Sequence, residues 1–214
     1  MTDSSSDPLL AGYRRFRAHQ WPRARAAYET LAEAGQTPHT LFLACSDSRA
    51  DPALIFDAAP GDLFVVRNVA NLVPLYQPDG GQHGTSAAVE YAVTALKVAH
   101  LIVLGHSSCG GVAGCMAMCS GHAPELLEKS SFVGRWMDIL KPGYEKVKDE
   151  PDPETRQRML EKEAVLTSLN NLMEFPFVRE AVEAQSLSLH GLWTEIGAGA
   201  LEYYDPAKGG FYPV

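Results

Sequence analysis

Two short runs of uninterrupted apolar residues, Leu41-Phe42-Leu43-Ala44 and Leu101-Ile102-Val103-Leu104-Gly105, constrain this chain more than any other feature. Such runs offer no polar face to water, so bounded by turn signals they belong to strands buried on both sides, as in parallel sheets. Between them lie the turn Pro60-Gly61, a third apolar run Leu63-Phe64-Val65-Val66, and a helical stripe of Val89, Val93 and Leu96 on a segment from Thr85 or Ser86 to Lys97. A further short helix is expected from Asp51, with Pro52 in its first turn, to about Ala58. The alternation predicts an α/β fold with a mainly parallel central β-sheet, flanked by helices and joined by right-handed crossovers. Ligands of such sheets sit outside the carboxyl ends of strands, at a topological switch point. Cys45 ends the first run, His106 ends the second, and Cys109 follows three residues later.

Upstream, Leu9 to Ala34 is rich in Ala, Arg, Glu and Leu with helical spacing and is interrupted at Pro22, which predicts two helical pieces around a turn. Residues 1–35 therefore read as an N-terminal helical arm and 36–214 as the α/β core of a single domain, a size one core can support. Downstream, helices are expected after Gly111 to about Cys119, over Phe132 to Leu140, from the Asp149–Pro153 connector to Met173, and over Pro176 to Ala184. Leu187 to Trp193 and Ala200 to Tyr204 read as late strands.

The bulk numbers exclude several classes. Net charge is −8 with no basic cluster beyond Arg14 to Arg25, which argues against nucleic acid as a partner. No apolar run reaches membrane-spanning length, so no membrane partner is expected. Met1 to Asp7 is polar and acidic, unlike a secretory leader, and a cytoplasmic location is the expectation. Four cysteines are too few for a disulfide scaffold, and their clustering points to metal. Cys115 and Cys119, four apart on a helix, read as small buried thiols.

Two thiolates and one imidazole at strand ends suit Zn2+, which prefers four sulfur and nitrogen ligands; three protein ligands leave one corner for water, the pattern of a catalytic site. Cys45 opens Cys45-Ser46-Asp47-Ser48-Arg49, and His106 opens His106-Ser107-Ser108-Cys109-Gly110-Gly111. In an extended segment Cys45, Asp47 and Arg49 would share one side. A guanidinium there would pair bidentately with Asp47 and keep it ionised.

Both strings resemble the β-class carbonic anhydrases, over a stretch from about Gln36 to Gly114. The resemblance implies zinc bound by Cys45, His106 and Cys109, a catalytic Asp47–Arg49 dyad, and reversible hydration of carbon dioxide to bicarbonate and a proton through zinc-bound hydroxide, a lyase reaction. It further implies a substrate pocket of the plant-type branch, with Gln36, Phe64, Val69 and Tyr91 matching its glutamine, aromatics and apolar wall, and Gly110 allowing close backbone approach. Phe42 and Thr194 stand where the bicarbonate-regulated bacterial branch has tryptophan and tyrosine. The histidine of some plant enzymes is Ala95 here, which leaves His83 and His100 as candidate proton relays. A homodimer or higher homo-oligomer, with the arm embracing a neighbour and the pocket at the interface, is implied as well. Two alternatives stay open: hydrolysis of carbonyl sulfide or carbon disulfide on the same centre, and a non-catalytic zinc-binding module.

Overall fold

The computed structural model describes residues 7–78 and 81–214; the polar leader expected over Met1 to Asp7 lies outside them except for its last residue. Among the described residues one six-stranded sheet organises the chain, in the order β2-β1-β3-β4-β5-β6. Its strands are β1 Thr40–Cys45, β2 Leu63–Asn68, β3 His100–His106, β4 Ser188–Glu195, β5 Ala200–Asp205 and β6 Gly210–Pro213. The first four run parallel, and β5 and β6 are added antiparallel. The expected α/β architecture is therefore present. β6 was not expected: Gly-Phe-Tyr-Pro is too short to show alternation, and its Pro213 is tolerated on an edge strand, where no ladder donor is needed.

The helices are α1 Asp7–Arg15, α2 Trp21–Ala34, α3 Pro52–Ile55, α4 Gly84–Glu90, α5 Gly110–Cys119, α6 Phe132–Met137, α7 Lys141–Val147, α8 Pro153–Met173 and α9 Pro176–Glu183. The arm departs from expectation. No turn separates α1 from α2; a π-helical stretch, Phe16–Gln20, carries the helix into Pro22. A wider turn just before proline absorbs the missing donor and the ring's clash without breaking the rod. Helix α3 is shorter than expected but starts where expected, with Asp51 accepting from Ala53 N at 2.9 Å. Asp152 caps α8 in the same way, accepting from Thr155 N at 2.9 Å, a bond worth about 1 kcal/mol.

Leu41, Leu43, Leu101 and Val103 point to the sheet face packed by α4, α8 and α9, where they join Val89, Val165, Leu172 and Val178 in the main core. Phe42, Ala44 and Leu104 form a smaller cluster on the other face with Phe56. Helix α8 lies close on β3 because Gly105 has no side chain: a Cβ there would meet Val165 Cγ2 at 2.7 Å. That closeness sets the back wall of the site described next. The arm buries no side chain over Phe16–Ala34, and its Phe16, Trp21 and Tyr28 pack on one another instead.

Candidate metal centre

The register places Cys45 at the last position of β1 and His106 at the last position of the neighbouring β3, so their side chains start from adjacent carboxyl ends. A tight turn with Ser108 in the left-handed region (φ 55°) then brings Cys109 back, just before α5. All three are buried, at 5%, 1% and 1% exposure. Their ligand atoms lie within 4.8 Å of one another and form the only convergent group of three or more metal-binding side chains among the described residues.

The spacing fits one ion. Cys45 Sγ and Cys109 Sγ are 3.9 Å apart, far beyond a disulfide, while two sulfurs each about 2.3 Å from a tetrahedral zinc are separated by about 3.8 Å. His106 Nδ1 lies 2.9 Å from the Ser107 carbonyl, which makes it the protonated nitrogen. That leaves Nε2 buried without a hydrogen-bond partner, the state of an imidazole waiting for a metal. Hydrogen bonding with Cys109 lowers the Cys45 thiol to about 4, against the opposing effect of burial, and pushes the Cys109 thiol up. Zinc binds such sulfurs as thiolates, so one thiol already disposed to ionise suits the site.

Asp47 is held away from this position. Arg49 donates to it from Nε (2.9 Å to Oδ1) and Nη2 (2.8 Å to Oδ2), a bidentate clamp, and from its backbone N. The clamp keeps the Asp47 carboxyl well below the usual carboxylate range. Arg49 Nη2 also donates to Ser108 O at 3.1 Å, so the dyad is tied to the turn that carries Cys109. The expected extended geometry is not what joins the pair: the chain turns at Asp47, with Ala50 N bonded to Asp47 O, and the turn brings Arg49 back onto the carboxylate.

Three supports escaped the sequence. Arg67 on β2 donates to Cys45 O (2.9 Å), Asp47 O (2.6 Å) and Asp51 Oδ2 (2.8 Å), so one guanidinium grips the whole Cys45–Asp51 loop. Buried Glu161 of α8 accepts from Cys109 N at 3.0 Å and from Gln157 at 3.2 Å, with burial raising its pKa. Ser107 Oγ donates to Glu195 at 2.6 Å and accepts from Ile196 N at 2.9 Å, fastening the His106 turn to the end of β4. Glu161 carried a legible signal, an acid beside the apolar Leu160, Ala164 and Val165 on the buried side of α8.

The substrate residues divide. Val69 packs at the metal end, because a Cβ on Gly111 would come within 2.7 Å of Val69 Cγ1. Gly111 is thus the glycine that allows Val69 to settle on α5, while a Cβ at Gly110 would meet open space, so that position stays open to an approaching molecule. Val69 also borders a cavity of about 550 Å³ shared with Ser46, Asn68, His83 and Trp136. Phe64 and Tyr91 meet at a tilt of 42° with centroids 5.9 Å apart, but Phe64 pairs with Leu41, four residues before Cys45 and roughly 13 Å down the strand. Gln36 precedes the amino end of β1, and Gln36 and Tyr91 are exposed. Within one chain these three do not meet the Cys45 centre. His100, at the amino end of β3, is likewise about 20 Å from His106 along the strand and out of relay range.

An α/β sheet carrying cysteine, histidine and cysteine at the carboxyl ends of its central strands defines a class, and independent comparisons identify it. The carbonic anhydrase family model matches residues 40–201. Beta carbonic anhydrase 3 of Arabidopsis thaliana is 37% identical over 201 residues, 92% of this chain and 76% of that protein. Among solved structures, the β-carbonic anhydrase CcaA is similar with a TM-score of 0.89 and 33% identity, covering 99% of this chain and 93% of the other. A tetrameric β-carbonic anhydrase of Sordaria macrospora has a TM-score of 0.70 and 33% identity, covering 93% of each. The chain belongs to the carbonic anhydrase family, in its β class.

Proposed function

We propose that this chain catalyses reversible hydration of carbon dioxide to bicarbonate and a proton, with zinc held by Cys45, His106 and Cys109. The observation that carries the reading is the convergence of two sulfurs and one unpartnered imidazole nitrogen, beside a carboxylate that Arg49 clamps and that stands outside the group of three. Zinc there would acidify a water so that hydroxide is available near neutral pH, an effect for which carbonic anhydrase is itself the reference case.

The remaining work belongs to side chains. Asp47, ionised and clamped, offers its spare lone pairs to the attacking O–H and fixes the orientation of the nucleophile. Val69 gives an apolar wall suited to a small, nearly nonpolar substrate, and the open space at Gly110 leaves room for it. Gln36, Phe64 and Tyr91 complete the pocket of a neighbouring copy in a homodimer or larger assembly. Their place away from their own chain's metal centre supports this, as do the arm that buries no side chain over Phe16–Ala34 and the tetrameric relative.

Stopped-flow carbon dioxide hydration, paired with zinc content per chain, tests the reading. Stoichiometric zinc and a rate that rises with pH through neutrality are expected. Stoichiometric zinc with turnover of carbonyl sulfide or carbon disulfide but not of carbon dioxide would replace the substrate. Zinc with no turnover at all would leave a binding module.

A further inference from the structure

At the end of the sheet away from the Cys45 centre, His100 of β3 and His190 of β4 face each other across neighbouring parallel strands. The register pairs His100 with Ser188 and Ile102 with His190, so the two histidines occupy the same sheet face, offset by two residues. His100 Nδ1 and His190 Nε2 are 3.3 Å apart, with ring centroids at 5.3 Å and planes inclined by 52°. Both residues are exposed.

We propose that His100 and His190 form a second metal site, a two-histidine clamp for a borderline divalent transition cation such as nickel, copper or zinc. The separation fits a shared ion. Two nitrogens each about 2.0–2.1 Å from a tetrahedral metal stand about 3.3–3.4 Å apart, and rings aiming them at that point hold centroids about 5.2 Å apart. Without a cation the same two nitrogens share one ring proton in a long hydrogen bond. Partial desolvation, with a smaller contribution from His100, lowers His190 from the usual histidine range, which favours the neutral ring that a ligand needs. Imidazole nitrogen suits these metals, and the remaining corners open to solvent.

The clamp is also rigid before metal arrives. Ser188 N bonds to Ala99 O at 2.9 Å and His100 N to His39 O at 3.1 Å, so both strands are fixed where the histidines leave them. Binding needs only a tautomer shift: the ring proton held between the two nitrogens moves to a far ring nitrogen, and no net proton is released. The site is separate from the Cys45 centre by the length of β3.

Calorimetric titration of the zinc-loaded protein with nickel, alongside zinc content, tests the proposal. Saturable binding of one nickel per chain is expected, weakened at least about tenfold in both His100→Ala and His190→Gln, with zinc content unchanged. The second, conservative variant guards against a folding defect in the first. Absence of nickel binding in the wild type, or equal binding in both variants, would overturn the site while leaving the zinc centre untouched.

Discussion

The two ends of the parallel sheet are built on opposite plans. At the carboxyl end Cys45, His106 and Cys109 are buried, and Arg67, Glu161 and the Ser107–Glu195 bond lock each loop that carries them. At the amino end Gln36, Tyr91, His100 and His190 are exposed, and Tyr91 meets the ring of Phe64 at the border of the core. One end is complete within the chain; the other presents side chains outward. A metal needs ligands fixed to within fractions of an ångström, which only a chain folded on itself supplies, whereas pocket walls tolerate being brought by a second copy.

The largest effect should come from the complete end. Cys45→Ser removes one thiolate from a three-ligand site, and we expect zinc to fall well below one per chain and hydration to drop by at least ~10³-fold, read by elemental analysis and stopped flow. Arg49→Ala releases Asp47 without touching a ligand. Zinc should remain while kcat falls by ~10–100-fold. Because Arg49 holds the Asp47 pKa down, its loss raises that pKa, so the ionised form is lost at higher pH and the acid limb of the rate profile moves upward in pH. Unchanged kcat and an unmoved limb would remove Asp47 from the mechanism.

Arg67→Ala tests whether that rigidity depends on the neighbouring strand. It strips partners from Cys45 O, Asp47 O and Asp51 at once, and we expect a loss of about 1–3 kcal/mol in chemical denaturation together with weaker zinc retention during dialysis against chelator. Tyr91→Ala sharpens the contrast from the outward end: weaker self-association by sedimentation, by about 1 kcal/mol or more, with zinc content unchanged. An effect on zinc rather than on assembly would place Tyr91 in the wrong region. Smallest of all is Ser108→Gly. Its φ of 55° penalises a side chain by about 1–2 kcal/mol, partly offset by the freer unfolded glycine, so thermal unfolding should shift upward by a few degrees at most.

Much of the carboxyl end was legible because it is written locally. Apolar runs that end in Cys45 and His106 announce buried strands and the position of their ligands, and Asp47 and Arg49 sit within four residues of the first cysteine. Arg67 and Glu161 were not legible as partners of that loop, since their bonds to Cys45 O and Cys109 N span 22 and 52 residues. The π-helical join in the arm was hidden because proline in a helical pattern signals a break equally well as a widened turn.

By itself the sequence determined strands β1 to β5, the grouping of Cys45, His106 and Cys109, and the family, since periodicity and ligand chemistry are carried by neighbouring residues. Tertiary structure alone decided that Gly111 lets Val69 pack against α5, that Asp47 is turned back onto Arg49, and that Gln36, Phe64 and Tyr91 stand apart from their own chain's centre. Those outcomes depend on strand register and on how closely helices settle on the sheet. Both are set by the packing of residues far apart in the chain.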